Sequence, residues 1–197
     1  MSNIVADSTF YIFFFNDIKN TDHLNSILDS YNAHIGPMIK DEISHHLELN
    51  EEINGKITNI GINVDFKNIL DQYQISLLNA FPGLQKWDKK GEFEVIGLSY
   101  LLQELESLKY LIVDDKAPYT FIKNQLKFIN KNLTRTFGFL ALGAMEDKLL
   151  TKSLLQKIIG ETEREIALGN KPLNIDENIW NTTVKPRMME VLERCNG

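Results

Sequence analysis

Ile4-Val5-Ala6-Asp7 near the amino end and Tyr110-Leu111-Ile112-Val113-Asp114-Asp115 in mid-chain share one pattern, a short apolar run closed by acid. Runs of this length, bounded by turn residues, read as buried strands. Open parallel sheets carry their sites outside the carboxyl ends of strands. Acids at two such ends would lie near each other. That pattern predicts an α/β chain built on a short parallel sheet, with chemistry at its acidic rim.

The surrounding segments supply the helices. Ser8 and Thr9 offer capping hydroxyls to an aromatic-rich stretch that runs to about Asp17. Thr21-Asp22 reads as a second cap, followed by Leu24, Ile27, Leu28 and Tyr31 at helical spacing. Gly36-Pro37 is a break, and from it a helix runs from Ile39 to Ile53 with Ile39, Ile43 and Leu47 on one stripe. Asn54-Gly55 reads as a turn, and Ile60, Ile62 and Val64 alternate with Gly61 and Asn63 as a short strand or extended loop. Phe66, Ile69, Leu70, Tyr73 and Leu77 fit an amphipathic helix that Pro82-Gly83 stops. The next helix spans Phe93 to Leu108.

Beyond the second acidic run, a helix follows Pro118 and a strand-like stretch covers Leu133 to Thr136. Helix then dominates from Leu142 to Leu192, with breaks at Gly160 and at Gly169 to Pro172. Strands alternating with helices argue for α/β architecture. A last helix, about Asp176 to Arg194, lies outside the alternation. The domain reading is 1–160 for the α/β unit and 161–197 for a helical extension.

At 197 residues the chain has the length of one domain with a modest appendage. A hydrophobic fraction of 43% and a charged fraction of 24% exclude a disordered or collagen-like chain. Cys195 is the single cysteine, which excludes a disulfide scaffold and a multi-thiolate zinc site and fits a reducing cytoplasm. A net charge of −6 gives no global attraction to nucleic acid, so any such binding needs a local basic patch. The run Phe10-Tyr11-Ile12-Phe13-Phe14-Phe15 is far short of the ~20 residues that span a bilayer, and no basic segment precedes it. It reads as core, and no membrane association is expected.

Several other acids join the two strand-ending ones. Glu42 sits one turn into the helix after Pro37, and Glu92 and Glu94 open the helix before the second acidic strand. Helix starts favour negative charge. Clustered carboxylates repel unless a cation neutralises them, and hard Mg²⁺ or Mn²⁺ suits oxygen ligands. His45-His46 cannot share a helix face, and the motifs of zinc proteases, P-loops and serine hydrolases are absent from the sequence. Trp87 and Trp180 read as packing or rim residues.

The order of these segments resembles the PIN domain, a family of metal-dependent nucleases. Ile4-Val5-Ala6-Asp7-Ser8-Thr9 is similar to its first strand, acid and hydroxyl pair. Pro37-Met38-Ile39-Lys40-Asp41-Glu42-Ile43 is similar to its Pro-initiated helix with the second acid. Gly91-Glu92-Phe93-Glu94-Val95-Ile96 resembles the Gly-Glu-x-Glu-x-Ile run of one bacterial and archaeal branch. Tyr110 to Ala117 is similar to that branch's strand and Asp-Asp turn, and Thr136-Phe137-Gly138-Phe139-Leu140 with Asp147 to Leu150 to its closing turn and helix. Residues from 161 onward have no counterpart in the minimal domain.

The resemblance implies a three-layer α/β/α fold and a divalent-metal-dependent endoribonuclease, a toxin of a toxin–antitoxin pair among the roles such proteins play. It implies that Asp7, Glu42, Glu94 and Asp114 hold Mg²⁺ or Mn²⁺, with Ser8 and Thr9 supporting them and Glu92 and Asp115 as alternatives. Glu94 is preferred to Glu92 because it adjoins the apolar stripe. RNA is the implied substrate and an antitoxin protein the implied partner. The alternative is a catalytically weak PIN-like module that binds nucleic acid or protein, its groove covered by the extension.

Substrate grip needs positive charge, and Lys109, Lys116, Lys123, Lys127, Lys131 and Arg135 flank the acidic strand. Of these, Lys116, Lys123, Lys127 and Arg135 are the candidate phosphate contacts. The spacing of Lys123, Lys127 and Lys131 equally describes a solvated helix face. Ile175, Ile179, Val184, Met188, Val191 and Leu192 form an apolar stripe that must be buried, although Pro186 bends or divides its helix. A homodimer using this stripe is expected, closed two-fold dimers being the commonest oligomers.

Overall fold

The first strand, β1 (Ser2–Ala6), buries Ile4, Val5 and Ala6 in succession. Successive strand side chains point to opposite faces, so this run needs cover on both faces of its sheet. The computed structural model describes residues 1–59 and 64–195, the side chains of 64–66 excepted. After β1 come α1 (Ser8–Ile12), continued as π-helix over Phe13–Asp17, then α2 (Thr21–Leu28) and β2 (Tyr31–Ile35). They are followed by α3 (Pro37–Glu48), α4 (Glu51–Lys56), β3 (Thr58–Asn59), α5 (Val64–Ala80) and a 3-10 segment (Pro82–Trp87). Next are α6 (Gly91–Glu104), β4 (Leu108–Ile112), α7 (Lys116–Gln125), β5 (Leu133–Thr134), α8 (Thr136–Met145) and α9 (Lys152–Ala167). The chain closes with α10 (Glu177–Ile179), a π-helical turn (Trp180–Val184) and α11 (Lys185–Arg194).

Among the described residues, the strands form one five-stranded sheet in the order β3-β2-β1-β4-β5. Every pairing is parallel. The chain builds outward on one side of β1 and then restarts on the other side with β4. Consecutive connections therefore diverge between β1 and β4. In open α/β sheets, the crevice outside the carboxyl ends of such a strand pair is where ligands bind. The architecture is α/β on a parallel sheet, as the sequence pattern predicts, and is consistent with three layers.

An aromatic cluster fills one part of the core. Phe139 of α8 makes edge contacts with Phe10, Tyr31 and Tyr110, at centroid distances of 5.8, 5.1 and 5.5 Å. Phe10, Tyr11, Phe13, Phe14 and Phe15 are all buried, as their run predicts. Elsewhere α6, flanked by α3 and α5, packs on β1 and β4. Fully burying each such large side chain contributes ~1.5–3 kcal/mol. Among the described residues no helix is long and apolar enough to cross a membrane.

Several local expectations are corrected. Asp7, not Ser8 or Thr9, caps α1, and Asn20, not Thr21 or Asp22, caps α2. Tyr31 leaves the helical stripe and opens β2, where Tyr31, Ala33 and Ile35 alternate with less buried Asn32 and His34. Asn54 and Gly55 lie inside α4 rather than in a turn. Lys56 at its end bridges Asp29 at 2.6 Å and Glu52 at 3.1 Å, and these anchors override the local turn preference. Leu108 belongs to β4, since α6 ends at Glu104. The alternation at Ile60 and Ile62, with Gly61 and Asn63, lies outside the described residues, and Val64 begins α5.

Gly160 does not break the chain either: α9 runs through it from Lys152 to Ala167, across the expected boundary at 160. His23 of α2 reaches Glu161 of α9 at 2.9 Å, and the Asp17 carboxylate accepts from Leu173 N at 2.8 Å. The expected division at Pro186 takes the form of the π-helical turn just before it, which gives room where the proline lacks an N–H. Beyond that turn α11 packs on α8 and α9, burying Met188, Val191 and Leu192, while Trp180 meets Phe137 at 5.5 Å. Of the stripe behind the homodimer expectation, Met188, Val191 and Leu192 are thus covered by the chain itself, while Ile175 and Val184 are half-buried and Ile179 is exposed.

Candidate active site

Asp7 is the first residue after β1, and its amide still donates to Ile112 O of β4 at 3.0 Å. The side chain is 5% exposed. One carboxylate oxygen accepts from Phe10 N at 3.2 Å, capping α1, and the other accepts from Asp114 N at 2.9 Å. Asp114 follows β4 with Val113 between, and its own carboxylate is held by Thr136 at the start of α8. Thr136 N donates at 3.1 Å and Thr136 Oγ1 at 2.5 Å. Two strand-ending acids are therefore fixed side by side at the divergence of the sheet.

A second pair lies at the end of the neighbouring strand. Val5 pairs with His34, so Asp7 and Gly36 emerge from adjacent parallel strands at the same end of the sheet. Glu94, 4% exposed, reaches this end from α6 and accepts from Met38 N at 3.1 Å and Ile39 N at 3.0 Å. These are first-turn amides of α3, which lack partners within their own helix. Gly36 makes the approach feasible, because a Cβ there would stand 2.1 Å from the Glu94 carboxyl carbon. Glu42 lies across Gly91, where a Cβ would stand 2.7 Å from its Oε1. The four acids share one edge, and Glu42 alone among them is exposed.

The electrostatics follow from that crowding. Burial pushes the Asp7 carboxyl up to about 8, and the Asp114 charge adds to the shift against the opposing amide bonds. Asp114 is also raised by burial, offset in part by the Thr136 hydrogen bonds and Arg135. Glu94 is raised by burial, against the pull of its two amide donors, with Glu42 and Asp41 adding to the rise. An edge that resists ionisation in this way is one a cation would relieve. Each carboxylate has about four lone-pair sites, so these hydrogen bonds leave capacity for a metal. Hard oxygen donors suit Mg²⁺ or Mn²⁺. Among the described residues, no three His, Cys, Asp or Glu side chains are grouped as ligands for one ion. The acids stand as two pairs.

The remaining candidates are distributed unevenly. Ser8 and Thr9 are half-buried in the first turn of α1, and neither hydroxyl bonds a carboxylate among the described residues. Glu92 is half-buried in the first turn of α6, and exposed Asp115 precedes α7. Arg135 donates to Asp114 O at 2.6 Å and lies 4.4 Å over the Tyr119 ring. Lys116 is exposed in the first turn of α7, and Lys123 in its last. Lys127 and Lys131 do not continue that face, because α7 ends at Gln125. Lys109 is drawn away to Asp147 at 3.0 Å.

Four contributors are not evident from motif spacing. Thr136 positions Asp114, and the sign of it is that a third strand, β5, ends just before it. Gly36 and Gly91 provide clearance for Glu94 and Glu42, which no local pattern announces. Buried Tyr11 brings its hydroxyl close enough to Asp7 for that carboxylate to raise it further, and the hydroxyl has no hydrogen-bond partner among the described residues. Compared with known proteins, the chain matches no family model, no curated protein and no solved structure.

Proposed function

We propose that the chain is a divalent-metal-dependent nuclease, an endoribonuclease that cleaves phosphodiester bonds and acts in the cytoplasm. The observation that carries this reading is the bond from Asp114 N to the Asp7 carboxylate, which sets two acids together outside the carboxyl ends of two parallel strands, where open α/β sheets generally bind ligands. The resemblance to PIN domains supports it from the sequence. Asp7, Glu42, Glu94 and Asp114 would hold Mg²⁺ or Mn²⁺. Such an ion, when bound, lowers the pKa of a water and stabilises charge on the attacked phosphate.

The chain's own residues do the positioning. The strand ends and the Thr136 bonds fix the orientation of Asp7 and Asp114. Glu94 is fixed by α3, while exposed Glu42 is free to adjust. Arg135 and Lys116 lie beside Asp114 and Asp115, where they would neutralise a phosphate backbone without reading sequence. In the toxin role, an antitoxin protein would be the partner covering this edge.

The test is cleavage of single-stranded RNA and DNA with Mg²⁺ or Mn²⁺, with Asp7→Asn as control. RNA cleavage by wild type alone is the expected result, and equal cleavage by the variant contradicts the reading. A second reading, a catalytically weak PIN-like module that binds nucleic acid or protein, is favoured by the arrangement of the acids as two pairs rather than a group of three.

A further inference from the structure

A half-open cavity of about 490 Å³ lies between the start of α8 and the carboxyl-terminal helices. Small-molecule sites occupy roughly 300–1,000 Å³. One wall carries Asp114 of the acidic edge, with Tyr119 and Arg135. Phe137 and Ala141 of α8 and Met188 and Val191 of α11 also line it. The opposite rim carries Thr183 and Arg187, both exposed. Arg187 makes no hydrogen bond or ion pair among the described residues. On a chain with a net charge of −6, that is an available cation beside an apolar cavity.

We propose that this cavity is the pocket for one nucleobase of a single-stranded nucleic-acid substrate, with Arg187 on the neighbouring phosphate. It rests on the nuclease reading, which it deepens by naming a substrate subsite. The apolar lining accepts a flat uncharged body. The Arg135 guanidinium, 4.4 Å over the Tyr119 ring, is a planar group on which any base can lie. A wholly apolar occupant would leave the Arg187 charge at the mouth without a counter-charge. A nucleotide satisfies both parts, base on the apolar wall and phosphate on the arginine. Asp114 at one end places that base next to the bond to be cut. The carboxyl-terminal segment, outside the sheet, thereby gains a role in substrate selection.

The experiment is a calorimetric titration of adenosine 5′-monophosphate and of ribose 5-phosphate in EDTA, into wild type, Arg187→Ala and Thr183→Phe. Both positions are exposed, so the fold is retained, and circular dichroism checks it. The nucleotide is expected to bind about tenfold or more tightly than ribose 5-phosphate, the base supplying the difference. Arg187→Ala should weaken nucleotide binding about tenfold by removing a charge-assisted contact, and Thr183→Phe should block the mouth. Equal binding of the two ligands, no saturable binding, or unchanged nucleotide affinity in both variants overturns the pocket. The measurement needs neither metal nor turnover. Nucleotide binding by a chain that cleaves neither RNA nor DNA removes the nuclease reading and leaves the base pocket standing. Cleavage combined with unaltered nucleotide affinity in both variants removes the pocket alone.

Discussion

The amide of Asp114 donates to the carboxylate of Asp7 at 2.9 Å across 107 residues of sequence. Each residue leaves its strand at the same end of a parallel sheet, and the bond extends the β1–β4 ladder by a side chain. It fixes the separation of two acids whose charges oppose one another. The candidate site is thus built on two acids held at strand ends, with Glu94 held by the amides of α3 and Glu42 exposed.

Thr136→Val removes the 2.5 Å bond from Oγ1 to Asp114 while keeping the shape of a fully buried side chain. A hydrogen bond to a charged group contributes ~1.5–3 kcal/mol, so urea unfolding should show a loss of that order. Thr136→Ser should recover most of it. Equal stability of the valine variant and wild type would mean that Thr136 does not hold Asp114.

Gly36→Ala places a Cβ where the Glu94 carboxylate lies, so the carboxylate must leave the Met38 and Ile39 amides. Stranding buried donors costs ~1–3 kcal/mol per group, and chemical denaturation should register that loss. Gly160→Ala, with nothing within 4 Å of the new Cβ in the middle of α9, should instead stabilise by ~0.5–1 kcal/mol. The two glycines should therefore move stability in opposite directions.

Without metal, stability should fall as pH rises from about 4 to 8. The Asp7 carboxyl is pushed up to about 8 in the folded chain, against about 3.9 when unfolded. Below the unfolded value both states are protonated and the group makes no difference. Through the window the unfolded chain releases the proton and the folded chain keeps it, so folding loses ground until pH passes about 8. Asp114 and Glu94 are raised in the same sense. Melting temperature against pH in EDTA, for wild type and Asp7→Asn, checks the sign, and the variant should show the shallower slope. A wild-type melting temperature that climbs over this range would contradict it.

Trp180→Ala should destabilise by ~3–5 kcal/mol, because the indole is 1% exposed and packs on Phe137 in the main core. Truncation after Gly169 removes Trp180, Met188, Val191 and Leu192 together. Fluorescent dye binding should then report exposed apolar surface on α8 and α9. A truncated chain with native melting behaviour would make the segment dispensable.

Much of this was legible where burial is uniform. The runs ending in Asp7 and Asp114 announce strands because their residues are buried on both faces and carry no competing period. Tyr31 to Ile35 hid because Tyr31 stands three residues after Leu28, which continues a helical stripe as well as it opens an alternation. Asn54-Gly55 and Gly160 misled for a related reason, since packing and ion pairs outweigh the local cost of glycine in a helix. At the site, the acids can be picked out by their place just after strands or early within helices. The glycine clearances and the Thr136 bonds depend on contacts between distant segments, which no local spacing encodes.

On the proposed reading, Asp7 and Asp114 share one cation site at the acidic edge. Calorimetric titration of Mn²⁺ into wild type, Asp7→Asn and Asp114→Asn tests it most directly. Saturable binding by wild type with marked loss in both variants is the predicted result, since each removes a negative charge at a rigid strand end. Equal Mn²⁺ affinity in all three proteins would contradict it.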